Sequence, residues 1–343
     1  MKNFSTNYLK RQSLLVLAFA VMILSTMVGC QTEKKPTETP AADEKVPGIK
    51  APNSVKFGDD ALIMPVATAW FYMSDDRSYN EIPSYWDSIG FVNMDVLNIG
   101  PFGVQSGGTF GLYKSDATGP LSKRFEWVAK TARSQNPDIK ILMSQWWGNG
   151  IQVPYPAGPW GSSLSALNSD DAALDAYVAS VIGLIAAYQA KGIEIDGYDI
   201  DYEGGFDGTN VLPFVPTIYS KLNAGSDSLS LVLNRPLYLT ASPADTTYLR
   251  GAVSSLDFIN IQNYDGGMWQ SLSDFTDMGY SRDQLLFGIC PETNCNGYDL
   301  AYVEQMFTDS ALAGIHSWRL NSGNYVYEDQ IQDSVYFFLH PPE

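Results

Sequence analysis

Eight short, apolar, β-prone runs separated by longer stretches of helical periodicity constrain this chain more than any other feature. The runs are Leu62 to Tyr72, Val96 to Phe102, Ile139 to Gln145, Gly197 to Tyr202, Leu237 to Ala241, Phe258 to Gln262, Leu285 to Ile289 and Gly314 to Trp318. Such alternation is the pattern of βαβ units, in which each strand rejoins one parallel sheet through a helix packed on its face. The clearest helix is predicted over about Asp170 to Lys191, where Leu174, Tyr177, Val178, Val181, Ile182, Ile185 and Tyr188 recur every three or four residues and form one apolar stripe. Ser169 or Asp170 can cap its start, and Gly192 suits the position just past its end. The fold class is α/β, and the folded stretch, residues 55–343, is long for an average domain but ordinary for a single α/β barrel.

The fourth run carries the chemistry. In Ile195-Asp196-Gly197-Tyr198-Asp199-Ile200-Asp201-Tyr202-Glu203-Gly204-Gly205, four carboxylates sit inside an apolar segment, which a solvated acidic surface would not need. Strand periodicity sends Asp199, Asp201 and Glu203 to one face and Tyr198, Ile200 and Tyr202 to the other; Asp196 has the opposite parity and is assigned a structural role. Crowded carboxyls resist joint ionisation, so one of them is expected to keep its proton near neutral pH, as an acid catalyst must. A capped, solvated strand end and a calcium loop are the other readings of clustered acids, but calcium loops space their ligands through Gly- and Asn-rich turns, whereas Tyr and Ile intervene here.

The spacing Asp-x-x-Asp-x-Asp-x-Glu from Asp196 to Glu203 resembles the signature of family 18 glycoside hydrolases, the chitinases and endo-β-N-acetylglucosaminidases. The resemblance implies a single (β/α)8 TIM barrel with these acids at the C-terminal end of its fourth strand, and Glu203 as general acid/base. It also implies a retaining mechanism in which the substrate's own 2-acetamido group is the nucleophile. Asp201 would orient the acetamido nitrogen, and Asp199, deeper in the barrel, would share a proton with Asp201.

Other strand ends extend the likeness. Gln262-Asn263-Tyr264-Asp265 is similar to the family's Met/Gln-x-Tyr-Asp/Asn motif, which places Tyr264 on the acetamido carbonyl and makes Gln262 and Asp265 substrate-binding residues; an ordinary buried Tyr is the alternative. Trp318 takes the place of the hydrophobic floor under the sugar, with a core Trp as the other reading. Ala241-Ser242-Pro243 looks like the family's Ala-x-Pro turn. The third strand departs from the pattern: Ser144-Gln145-Trp146-Trp147-Gly148 stands where relatives carry Ser-x-Gly-Gly, so Trp146 and Trp147, with Tyr155 and Trp160, become candidates for a sugar-binding wall.

The address is read at the N-terminus. Lys2, Lys10 and Arg11, the apolar run Leu14 to Leu24, and Gly29-Cys30 form a lipoprotein-type signal peptide over residues 1–29, with Cys30 as the lipidated residue. A transmembrane anchor is the alternative, but the run is shorter than the roughly 20 residues a span requires. Residues 30–54 hold Lys, Glu, Thr, Pro and Ala with almost no large apolar side chain, the composition of a disordered tether. The expected location is the cell envelope, lipid-anchored, on the outer membrane facing outside.

Net charge and cysteine use narrow the function classes. A formal charge of -17 disfavours nucleic acid and anionic membrane surfaces as electrostatic partners, leaving the lipid as the only membrane contact. With Cys30 lipidated, Cys290 and Cys295 remain to form a disulfide; their spacing is not that of a Cys-x-x-Cys redox pair. Gly103-Val104-Gln105-Ser106-Gly107-Gly108 lacks a Lys partner and a strand-to-helix frame, so it reads as a flexible rim loop and not a phosphate cradle. His316 and His340 lack a third ligand nearby and are read as structural; no metal and no cofactor is expected. A monomeric, endo-acting hydrolase cleaving the chitobiose core of N-glycans is the first reading. A chitinase acting on β-1,4-linked N-acetylglucosamine polymers and a non-catalytic glycan-binding barrel are the alternatives.

Overall fold

The computed structural model describes residues 62–73, 81–104, 108–112, 120–145, 167, 170–202, 215–243, 246, 249–264, 271–292, 295 and 300–342. The chain separates into Met1–Val55, outside the described residues, and Lys56–Glu343, which carries the fold. The leader, Cys30 and the whole of the tether expected from sequence therefore lie outside the described residues.

In chain order the elements are β1 (Val66–Tyr72), β2 (Val96–Val104), β3 (Phe110–Leu112), α1 (Pro120–Gln135), β4 (Lys140–Gln145), α2 (Asp171–Ala190), β5 (Gly197–Ile200), α3 (Val215–Leu233), β6 (Tyr238–Ala241), β7 (Phe258–Asn260), α4 (Leu272–Thr276), β8 (Leu285–Ile289), α5 (Leu300–Ser310), β9 (Gly314–Ser317) and α6 (Tyr325–Leu339). All but β3 pair in parallel with their neighbours, and β1 pairs with both β2 and β9, which closes the sheet on itself. The result is a closed eight-stranded parallel barrel ringed by helices, a single (β/α)8 TIM barrel. Each of the eight predicted runs holds one barrel strand, except that β2 continues two residues past the expected end at Phe102.

The ninth strand was not legible. β3 pairs antiparallel with the end of β2, Gly103 opposite Gly111 and Val104 opposite Phe110, so the first two residues of the expected rim loop are strand. Phe110 anchors this hairpin by stacking on Phe102 and meeting Tyr177 and Tyr198 edge-on, while its amide donates to Ser180 Oγ at 2.6 Å.

Helix α2 shows why the sequence caps it where it does. The Asp170 side chain accepts from the Ala172 amide at 3.1 Å. At the other end Gly192, at φ +74, lets its amide reach Gln189 O and the Ile193 amide reach Tyr188 O, the paired bonds of a Schellman closure. Its apolar stripe is the one read from sequence, with every predicted residue from Leu174 to Tyr188 buried.

Inside the barrel the side chains form layers. Val66, Val96, Leu142, Tyr238, Phe258 and Leu286 pack into an apolar plug at the N-terminal end of the strands. Above it lies a polar layer, Thr68, Asn98, Ser144, Asp199, Thr240, Asn260 and His316, each wholly buried. Three strands are also tied to their neighbours by an Asp immediately before them. Asp95 accepts from the Ala67 amide at 2.7 Å, Asp196 from Ile141 at 2.8 Å and Asp257 from Leu239 at 2.7 Å. Asp196 is further held by Arg133 and by Arg235 at 2.8 Å, which gives the structural role its parity predicted. His340 pairs with Asp95 at 2.9 Å in the same part of the barrel.

Candidate active site

The site is assembled at the C-terminal ends of the strands, where barrels of this kind present their loops. Strand β5, the fourth of the barrel, delivers Asp199 into the polar layer and Asp201 one repeat higher, 3% exposed, just past its last paired residue. Tyr198 points the other way, toward α2, where its hydroxyl donates to Gln145 Oε1 at 2.7 Å beside the Tyr177 hydroxyl. The alternation read from sequence therefore holds through Asp201. Glu203, the proposed acid, lies outside the described residues.

Asp199 is surrounded by donors from three other strands. Thr240 Oγ1 donates to Oδ1 at 2.6 Å, Ser144 Oγ to Oδ2 at 2.9 Å, Ser242 Oγ to both oxygens at 3.2 Å and Asn260 Nδ2 to Oδ1 at 3.3 Å. Burial raises its carboxyl to about 6, against the pull of those four donors. The cause differs from the one inferred from sequence: loss of water, and not repulsion between crowded acids, is what lifts this group.

Asp201 is fixed from the sixth barrel strand. Gln262 Nε2 donates to Asp201 Oδ1 at 2.9 Å and to the Ser242 carbonyl at 3.0 Å. Gln262, expected to meet substrate, thus spends its amide nitrogen on orienting Asp201. Tyr264 stands half-buried two residues on, its ring 6.1 Å from that of His316. His316 is wholly buried, and burial lowers its pKa to about 3, so the ring is neutral; its Nδ1 lies 3.4 Å from Thr68 Oγ1, which donates to Asn260 Oδ1 at 3.4 Å.

Trp318 follows β9 and is half-buried, its ring edge-on to Trp70 at 5.2 Å and tilted to Tyr72 at 6.4 Å. The chain beyond it is held by Asn321, whose side chain takes the Tyr72 amide at 3.0 Å and gives to the Tyr72 carbonyl at 2.7 Å. An aromatic platform results in which Trp70 and Tyr72, both buried, back the half-buried Trp318, where a single ring was expected. Asp265, Trp146, Trp147, Tyr155 and Trp160 lie outside the described residues. Cys290 and Cys295 are joined by a disulfide, with Cα atoms 5.9 Å apart, at the end of β8.

Sequence reasoning missed Ser144, Thr240, Ser242 and Asn260 as the shell of Asp199. The available signal was a lone polar residue at inward parity in an otherwise apolar strand. It also missed the buried trio Gln145, Tyr177 and Tyr198, which fixes the base of the altered third strand immediately before Trp146.

No protein-family profile and no curated protein sequence matches the chain. Among solved structures it is similar to a chitinase from Paenibacillus sp., at 13% identity and a TM-score of 0.59, over 80% of this chain and 32% of that multi-modular one. It therefore spans about a third of that protein's length. A chitinase from Bacteroides thetaiotaomicron is similar at 17% identity and a TM-score of 0.54, over 81% of this chain and 97% of the other. A fungal endo-β-N-acetylglucosaminidase of glycosyl hydrolase family 18 is similar at 14% identity and a TM-score of 0.52, over 80% and 98%. What the chain shares with these proteins is the (β/α)8 barrel fold.

Proposed function

We propose that this protein is a family 18 glycoside hydrolase, endo-acting and retaining, that cleaves the chitobiose core of N-glycans. The observation that carries the reading is the tandem of Asp199 and Asp201 at the end of the fourth barrel strand, one wholly buried among four donors and the other oriented by Gln262.

In the proposed mechanism Glu203 protonates the leaving oxygen while the 2-acetamido carbonyl of the substrate attacks C1, giving an oxazolinium ion. Asp201, oriented by Gln262, holds the acetamido nitrogen and balances its growing positive charge. Tyr264 steadies the carbonyl oxygen, and Trp318 supports the apolar sugar face. Glu203 then takes a proton from water, which opens the ring with net retention. Asp199 acts from below: its polar shell fixes the strand end that bears Asp201. The Cys30 lipid would hold the enzyme on the outer face of the cell envelope, where glycoproteins are met.

A chitinase is the second reading, favoured by the chitinases among the similar structures. Incubating the protein with a high-mannose glycoprotein and, separately, with a chitin oligosaccharide, then weighing the products, separates the two. Binding without cleavage of either would identify a non-catalytic glycan-binding barrel. The mechanism is tested by the first-formed anomer, seen by proton NMR. Participation of the acetamido group requires β product and inhibition by an N-acetylglucosamine-derived thiazoline; α product without that inhibition overturns it.

A further inference from the structure

The disulfide loop after β8 and the segment after β9 meet at one ion pair. Glu292, inside the loop closed by Cys290 and Cys295, accepts from Arg319 Nε at 2.5 Å, with side chains only 19% and 12% exposed. The Arg319 guanidinium lies over two rings of the platform, 5.3 Å from the centre of Tyr72 and 5.6 Å from that of Trp318. The loop is rooted on rigid structure, since Cys290 directly follows β8 and is 5% exposed, and Cys295 donates its amide to the Glu292 carbonyl at 3.0 Å. A disulfide spanning so few residues contributes little to global stability by restraining the unfolded chain. Its effect here is local: it limits where the Glu292 carboxylate can go.

We propose that Glu292 and Arg319 are positioning residues for the aromatic platform, and that the Cys290–Cys295 disulfide sets the carboxylate that aims the guanidinium. Arg suits this task because its flat cation can present one edge to a carboxylate and its face to a ring. Held by Glu292, Arg319 fixes the tilt of Trp318 and Tyr72 before any sugar arrives, so part of the ordering that binding demands is already complete. Loss of Glu292 removes the carboxylate that aims the guanidinium and loosens its hold on the Trp318 ring. The inference rests on Trp318 being the sugar floor, and it acts on affinity because neither residue reaches the reacting atoms.

The test uses Glu292→Gln, Arg319→Lys and the double variant Cys290→Ser/Cys295→Ser in the full protein. The ligand-free readout is the Trp318 indole N–H resonance, identified by its disappearance in Trp318→Phe. The ligand readout is affinity for chitin tetrasaccharide, with KM and kcat followed separately. The indole signal is expected to shift and broaden in all three variants, and Kd and KM to rise about three- to ten-fold with kcat within about two-fold, the size of losing one partly desolvated cation–ring contact. An unchanged indole signal in both Glu292→Gln and the cysteine variant overturns the proposal, as does a fall in kcat at constant Kd. Should the wild type bind no glycan, the functional reading fails while the indole resonance still decides whether the clamp exists.

Discussion

Replacing Asp199 by Asn should make the protein more stable at alkaline pH while impairing the site. Burial raises this carboxyl from 3.8 to about 6. Between those values the native protein keeps a proton that the unfolded chain has released, so stability falls as pH rises through that window. The cost is absent below about pH 4 and complete above about pH 6, and at 1.36 kcal/mol per pH unit it amounts to about 3 kcal/mol. Asn fits the same donors. Its Oδ1 keeps Thr240 and Asn260, and its amide gives to Ser144 and Ser242, whose hydroxyls rotate to accept. Urea unfolding of wild type and variant at several pH values from 4 to 8 isolates the effect, since every other titrating group is common to both. The stability difference, variant minus wild type, should grow by about 2 to 3 kcal/mol across that range, whatever its value at pH 4. A flat difference, or one that shrinks with pH, would refute the account of Asp199 as a carboxylate held against its own desolvation.

Three further outcomes are expected. Glu203→Gln should abolish hydrolysis, by about 10²–10⁴-fold or more, while preserving glycan binding, as measured by product mass analysis beside a binding isotherm. Cys30→Ala should move the protein from the membrane to the soluble fraction with the same unfolding midpoint; continued membrane association would indicate an uncleaved apolar anchor. Gly288→Ala should cost more than about 4 kcal/mol or prevent folding, because the added Cβ would fall 1.9 Å from the Ile261 carbonyl oxygen in the neighbouring strand segment; a midpoint within a few degrees of wild type would contradict the close approach of those backbones.

The legible parts of this fold are those in which local sequence and tertiary demand coincide. Barrel strands are covered on both faces, so a run such as Leu285 to Ile289 is continuously apolar, and Val96 to Phe102 is broken only by Asn98; both stand out. The ends of α2 were readable because Asp170 and Gly192 satisfy free backbone groups by themselves. Strand β3 was invisible, since three residues with Gly111 at the centre have no period, and Phe110 is held by rings distant in sequence. In the site, parity fixed the directions of Asp199 and Asp201. The shell of Asp199 was hidden because a lone polar residue in each strand does not show that Ser144 and Thr240 stand opposite Asp199 and that Asn260 reaches it from one strand further round. The platform of Trp70, Tyr72 and Trp318 required the closure between β1 and β9.

The three aspartates that precede β2, β5 and β7 bear on how such a chain can change over time. Each contact has a side chain on one half and a main-chain amide on the other, and almost any substitution in the receiving strand leaves that amide in place. The fastening therefore asks for one residue where a pair of packed side chains would ask for two that change together. Sequence drift can run freely through the strands and loops so long as an acceptor stays at these few thresholds, and the opposite rim is left open to acquire new specificities.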